Sequence, residues 1–226
     1  MTKILIKLNI EKDAWNWWEA CNKVSHGVDW KMEIELKLRN KIVGKSQKEA
    51  YGFLFPYLKD IYKKRNLKKK AEELQKGFSE RQKELFKTME RITMRKIYRN
   101  NFICFLTTFP RFPYDYNKGY VWISSKRELD YHFSIFLHEL LHFQYFAYYG
   151  EKAWDELGQE KYEYLKEAMT VILNEECKHI TKTKDEGYEI HKELRDELLK
   201  IWLETRKFDL FFNKAIEVTK DFKIKL

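Results

Sequence analysis

Glycine and proline are scarce, 8 and 3 residues among 226. Chains built from loops, repeats of turns or low-complexity tracts need both, so those classes are excluded and long helices are favoured. Cysteine is also rare. Cys21, Cys104 and Cys177 lie far apart, are odd in number and form no CxxC pair. That excludes a disulfide scaffold and fits a reducing cytoplasm. Long uncharged runs are missing as well. The best candidate, YHFSIFLHELLHFQYFAYY at 131–149, contains Glu139, Gln144 and three histidines. Each of those groups is costly against lipid, so no transmembrane segment is expected. The opening MTKILIKLNIEKDAW has no apolar core or cleavage site, and no signal peptide is expected.

What is present supports one sizeable core: 44% of residues are hydrophobic and 16% aromatic. Lys3–Ile10 alternates and reads as a strand, and Asp13 can cap the helix that follows. Asp29–Leu38 reads as a second extended segment, with Met32, Ile34, Leu36 and Leu38 alternating against charged neighbours. Ser46 opens a helix through SQKEAYGFLFPYLKDIYKK, interrupted by Pro56. Asn101–Thr108 and Tyr120–Ser124 read as strands. Helices are expected near 129–149, 154–180, 189–205 and 208–221. Strands early and helices late predict a helix-rich α+β fold as a single domain, 1–226. Its first half, 1–125, holds a small sheet and basic helices at 59–100; its second, 126–226, is helical.

The net charge of +9 is concentrated. Between Lys59 and Arg99 stand 15 basic and 6 acidic residues, a net of +9, which leaves the rest of the chain neutral. Leu74, Phe78, Leu85, Met89 and Ile92 recur at helical spacing there, so a solvated face on a buried stripe accounts for the segment. The functional counterpart is a surface for an anionic partner, nucleic acid included.

The stretch FLHELLH carries the chemistry. His138 and His142 are four apart, so on a helix both imidazoles leave one face and can share a zinc ion. Glu139 stands one position on, beside such a metal rather than on it, where a general base belongs. Two histidines and a glutamate inside a greasy helix are costly unless something satisfies them. A catalytic zinc needs a third protein ligand. Tyr145 and Tyr148 occupy the places where a metzincin carries its Gly and third His, which excludes that class. The segment EKYEYLKEAMTVILNEE (160–176) offers Glu163 and Glu167 on one helical face, continued by Thr170 and Asn174.

Over about 131–174 the chain resembles the zincin metallopeptidases of the gluzincin type, with HELLH on one helix and a glutamate on the next; the small minigluzincins are nearest in scale. The thermolysin-type NExxSD is absent. The resemblance implies a zincin-like domain, a Zn2+ cofactor and a peptide or protein substrate. It also implies hydrolysis in which Glu139 takes a proton from the attacking water and passes it to the leaving amine. The metal set is then His138, His142 and a glutamate. Glu167 is favoured because its neighbours are the more apolar. Glu163 is the alternative ligand, and Thr170 and Asn174 are supporting residues. Tyr120–Ser124 matches the edge strand that binds extended substrate, or is an ordinary strand. Tyr188 and His191 are candidate oxyanion donors, set against a plain helix-capping turn. His26, His132 and His179 are expected to be structural or at the surface. Two other readings stand beside the peptidase: an inactive zinc-binding helical protein, and a nucleic-acid-associated one using 59–99.

Overall fold

The computed structural model describes residues 2–25 and 27–223, so His26 lies outside the described residues. It is a helix-rich α+β structure with a small mixed sheet. The chain forms two compact units: a sheet unit of Lys3–Glu80 and Asn101–Leu129, and a helical unit built from Arg81–Asn100 and Asp130–Leu226.

In the sheet unit, β1 (Lys3–Lys7) and β4 (Asn101–Thr107) pair in parallel, and so do β4 and β6 (Tyr120–Ser124). A two-residue β5 (Tyr114–Asp115) adds antiparallel to β6, giving the order β1-β4-β6-β5. The short strands β2 (Val24–Ser25) and β3 (Val28–Asp29) form a separate antiparallel pair. Central β4 buries Phe102, Cys104, Phe105 and Leu106, as a parallel strand covered on both faces must. Edge strand β1 is closed by one side chain: Gln75 accepts from Ile6 N at 2.8 Å and donates to Ile4 O at 3.1 Å. That satisfies edge groups which would otherwise offer a pairing template.

Three expectations are corrected here. Helix α1 (Ile10–Cys21) is capped by Asn9, whose Oδ1 accepts from Lys12 N, and not by Asp13. Asp13 is wholly buried and accepts from Thr107 Oγ1, Thr108 N and Thr108 Oγ1 at 2.7–2.9 Å, tying α1 to the end of β4. The segment read as extended at 29–38 is a 3-10 turn (Trp30–Glu33) followed by α2 (Leu36–Ile42). Ile34, Leu38 and Ile42, four apart, are buried, while Met32 and Leu36 are exposed. The helical period therefore prevails over the alternating one. Third, β6 is not an edge strand. β5 covers its outer side at Tyr120 and Val121, and Trp122 N donates to Pro113 O.

Helix α3 (Gln47–Lys64) starts at Ser46 with a complete capping box to Glu49. After it, α4 (Leu67–Thr93) is a single 27-residue helix that buries Leu74, Phe78, Leu85, Met89 and Ile92. Lys68, Lys69, Lys76, Lys83 and Lys87 on the same helix are exposed or half-buried.

The helical unit is assembled from α5 (Leu129–Tyr148), α6 (Gly150–Ala168), a 3-10 turn (Met169–Ile172), α7 (Leu173–Glu176), a second 3-10 turn (Glu189–His191), α8 (Lys192–Thr205) and α9 (Phe208–Asp221). Gly158, at φ +68°, breaks α6 into two segments, a conformation that side chains disfavour. Tyr145, Tyr149, Trp202, Phe208, Phe211 and Phe212 form an aromatic core. α5 is buried almost all round, as its composition requires, and among the described residues no helix is long and apolar enough to cross a membrane. All three cysteines are free and buried.

Candidate metal centre

The site is assembled by two consecutive helices, α5 and α6, and the loop that follows α7. On α5, one helical turn separates His138 from His142, and their ring centroids are 4.4 Å apart. α6 returns Glu167 to the same place. Glu167 Oε2 lies 3.6 Å from His138 Nε2 and 3.8 Å from His142 Nε2. Those gaps are too long for hydrogen bonds. A tetrahedral zinc site, with bonds of about 2.0–2.2 Å, would set its donors about 3.3–3.6 Å apart. Among the described residues, His138, His142 and Glu167 form a group able to hold a metal ion, with their donor atoms all within 4.8 Å of one another. Two imidazoles and one carboxylate are also a donor set that zinc takes with a position left open.

Glu139 is buried. Its Oε2 stands 3.3 Å from His142 Nδ1 and, among the described residues, completes no hydrogen bond. A buried carboxylate oxygen without a donor calls for a water or a cation beside it. Glu163 is elsewhere: its side chain is half exposed and bonds to Lys166 Nζ at 2.7 Å. Of the two candidate glutamates, the fold brings Glu167 to the histidines.

Asp185 supplies what the sequence reading missed. Its Oδ2 bonds to His138 Nδ1 at 3.1 Å, which turns Nε2 towards Glu167. A carboxylate behind a ligating imidazole fixes its tautomer and strengthens it as a donor. Asp185 is itself held. Asn174 clamps its backbone with two bonds, 2.8 Å from Asp185 N and 2.9 Å to Asp185 O. The buried Arg195 donates to Asp185 O and reaches its Oδ2 at 3.5 Å. Thr170 accepts from Arg195 Nη1 at 2.8 Å and donates to Glu167 O at 2.9 Å. Thr170 and Asn174 thus bond to the Glu167 backbone, Arg195 and the backbone of Asp185. Gly187 packs close to the Arg195 guanidinium: a Cβ there would be 2.7 Å from Nη1, and its φ of +67° already disfavours a side chain.

Burial opposes a charge on His138, but Asp185, Glu167 and Glu139 outweigh it and hold its pKa well above the ordinary value. Burial, with His138 next to it and despite Glu167, pulls His142 below. For Glu167, burial is overcome by the two histidines and Lys166, and its pKa falls well below the ordinary carboxylate value. The shifts of His138 and Glu167 thus run in opposite directions, as those of two groups that attract each other do, while His142 follows its burial.

Tyr188 lines a cavity of about 590 Å3 together with Asn174, Asp185 and Arg195. His191 is buried edge-on against Tyr164, 4.5 Å between centroids, and its backbone opens α8. His132 is a buried α5 residue, and His179 meets Thr88 Oγ1 at 3.4 Å.

Asp185 and Arg195 carry no local signal because they stand among charged neighbours, in KTKDEGY and ELRDELL, where a solvated face is the ordinary reading, and Lys166, in YLKEA, is a residue type that is seldom buried. Gly187, two residues after Asp185, was the available signal of a tight loop. Compared with protein-family models, curated proteins and solved structures, the chain matches none.

Proposed function

We propose that the chain is a zinc-dependent metallopeptidase of the gluzincin type, acting on a peptide or protein substrate in the cytoplasm. One observation carries the reading: Glu167 Oε2 faces both imidazole Nε2 atoms at 3.6 and 3.8 Å, with Glu139 one residue along from His138. His138, His142 and Glu167 hold the ion. When bound, zinc supplies Lewis acidity, polarising the scissile carbonyl and making water a nucleophile near neutral pH. Glu139, buried on the same helix, accepts the proton of the attacking water and delivers it to the leaving amine. Asp185 accepts from His138 Nδ1 and so keeps the ring oriented, with Nε2 turned towards Glu167. Tyr188 and His191 remain the candidate oxyanion donors; Tyr188 lines a cavity with Asp185, and His191 packs against Tyr164. The three free, separate cysteines fit a reducing compartment.

Glu139→Gln tests the reading. Hydrolysis of a mixed fluorogenic peptide library should fall by about 10²–10⁴-fold, the usual contribution of general acid–base catalysis, while zinc stays at one ion per chain. Loss of zinc along with activity would make Glu139 a ligand. Unchanged activity would remove the peptidase reading.

A further inference from the structure

Lys166 precedes Glu167 and is buried, its side chain only 3% exposed. Lysine is seldom hidden unless its charge is matched. Here the ammonium stands 3.1 Å from Glu167 Oε1 and 2.7 Å from Glu163 Oε2, and 5.7 Å from the centroid of the Phe146 ring on α5. Glu167 therefore has its two oxygens committed to different tasks. Oε1 meets the ammonium, and Oε2 is the oxygen nearest His138 and His142.

The division matters for a metal. A carboxylate with both oxygens free can chelate, adding a donor and crowding the position that water or substrate must take. An ammonium on one oxygen prevents this and holds the carboxylate plane against rotation. Glu163 completes the arrangement from the surface, since its carboxylate accepts from the same ammonium. The residue weighed as an alternative ligand thus reaches the site through Lys166.

We propose that Lys166 is a positioning residue that keeps Glu167 a single-oxygen ligand and so preserves an open coordination position. The inference rests on the metal reading of the site. Its consequence is geometric: without Lys166 the ion is still held, but with one donor more.

Cobalt(II) is the probe, because its visible absorption is intense in four-coordinate sites and markedly weaker in five-coordinate ones. The apo chain, Lys166→Met and Lys166→Arg are each titrated with cobalt(II), with circular dichroism to check the fold. Wild type and Lys166→Arg should bind one ion with intense bands. Lys166→Met should bind one ion and lose those bands for the five-coordinate pattern. Should Lys166→Met not fold, Lys166→Gln is read in the same way. Intense bands in the neutral variant, or five-coordinate bands already in wild type, would overturn the role given to Lys166 and leave the metal site standing. A wild-type chain that binds no cobalt would instead remove the metal site itself, and the inference with it.

Discussion

In the sheet unit, Asp13 is wholly buried and both of its oxygens accept hydrogen bonds from Thr107 and Thr108 at 2.7–2.9 Å. In the helical unit, Glu167 is 5% exposed, yet its Oε2 stops 3.6 and 3.8 Å short of two imidazole nitrogens. Both are carboxylates that the fold withdraws from water. The first is closed by neutral donors already in the chain, and it ties a helix to a strand. The second has one oxygen on the Lys166 ammonium at 3.1 Å and turns the other towards two imidazole nitrogens beyond hydrogen-bond reach. Burial of a charged group says little by itself; what distinguishes a latch from a binding site is whether its polar atoms meet one another.

The largest expected effect on folding lies at the latch. Asp13→Ala strands Thr108 N and two hydroxyls in the interior, and should cost about 3 kcal/mol by the price of unsatisfied buried donors. Urea denaturation would read this as a lowered midpoint, and zinc stoichiometry in the folded fraction should not change. A variant as stable as wild type would mean that Asp13 is not a latch.

At the site the expected effect is on affinity rather than folding. Asp185→Asn keeps an acceptor near His138 Nδ1 but removes the charge. A lost partner of this kind typically weakens metal by about 10–100-fold, which competition with a chelator would measure. Equal affinity in both proteins would show that Asp185 holds the loop and does not tune the histidine.

A third carboxylate sharpens the comparison. Asp130, in the first turn of α5, accepts from Thr181 Oγ1, Lys182 N, Thr183 N and Thr183 Oγ1 at 2.7–3.1 Å, which pins the loop that leads to Asp185. Burial works against its charge, but these bonds outweigh it and set its pKa below the ordinary 3.8. A lowered folded pKa adds stability above the unfolded value, and that stability is lost as pH falls through the folded one. Asp130→Asn should therefore cost about 1 kcal/mol near neutral pH. The gap from wild type should close in acid, as urea midpoints at the two pH values would register. A gap that persists in acid would assign the effect to shape and not to charge.

Much of this was readable beforehand, for physical reasons. Tyr120–Ser124 falls on the expected residues because β-branched and aromatic side chains are bounded there by turn signals. Ser46 caps α3 because its serine is followed three residues later by Glu49. His138, Glu139 and His142 stood out as polar groups in an apolar helix, and Glu167 as a carboxylate with apolar neighbours. The segment 29–38 reads as a strand because four alternating apolar residues mimic one; Ile42, outside that window, reveals the four-residue period. Asp185 and Arg195 were hidden for a different reason. Their pairing joins a loop to a helix across a turn, and no local pattern marks a charged residue that tertiary contacts will bury. Lys166 is the same case: its neighbours argue for burial of Glu167, and they say nothing of which oxygen an adjacent ammonium will take.

The central claim is that His138, His142 and Glu167 bind one metal ion. Calorimetric titration of zinc into the metal-free chain, into Glu163→Ala and into Glu167→Ala tests it most directly. Wild type should bind one zinc per chain. Glu163→Ala should also bind one, within the roughly 10–100-fold loss expected when a group behind a ligand is removed, whereas Glu167→Ala should fall beyond that range. A wild-type chain that takes up no zinc, or a Glu167→Ala variant that binds it as wild type does, would contradict the account.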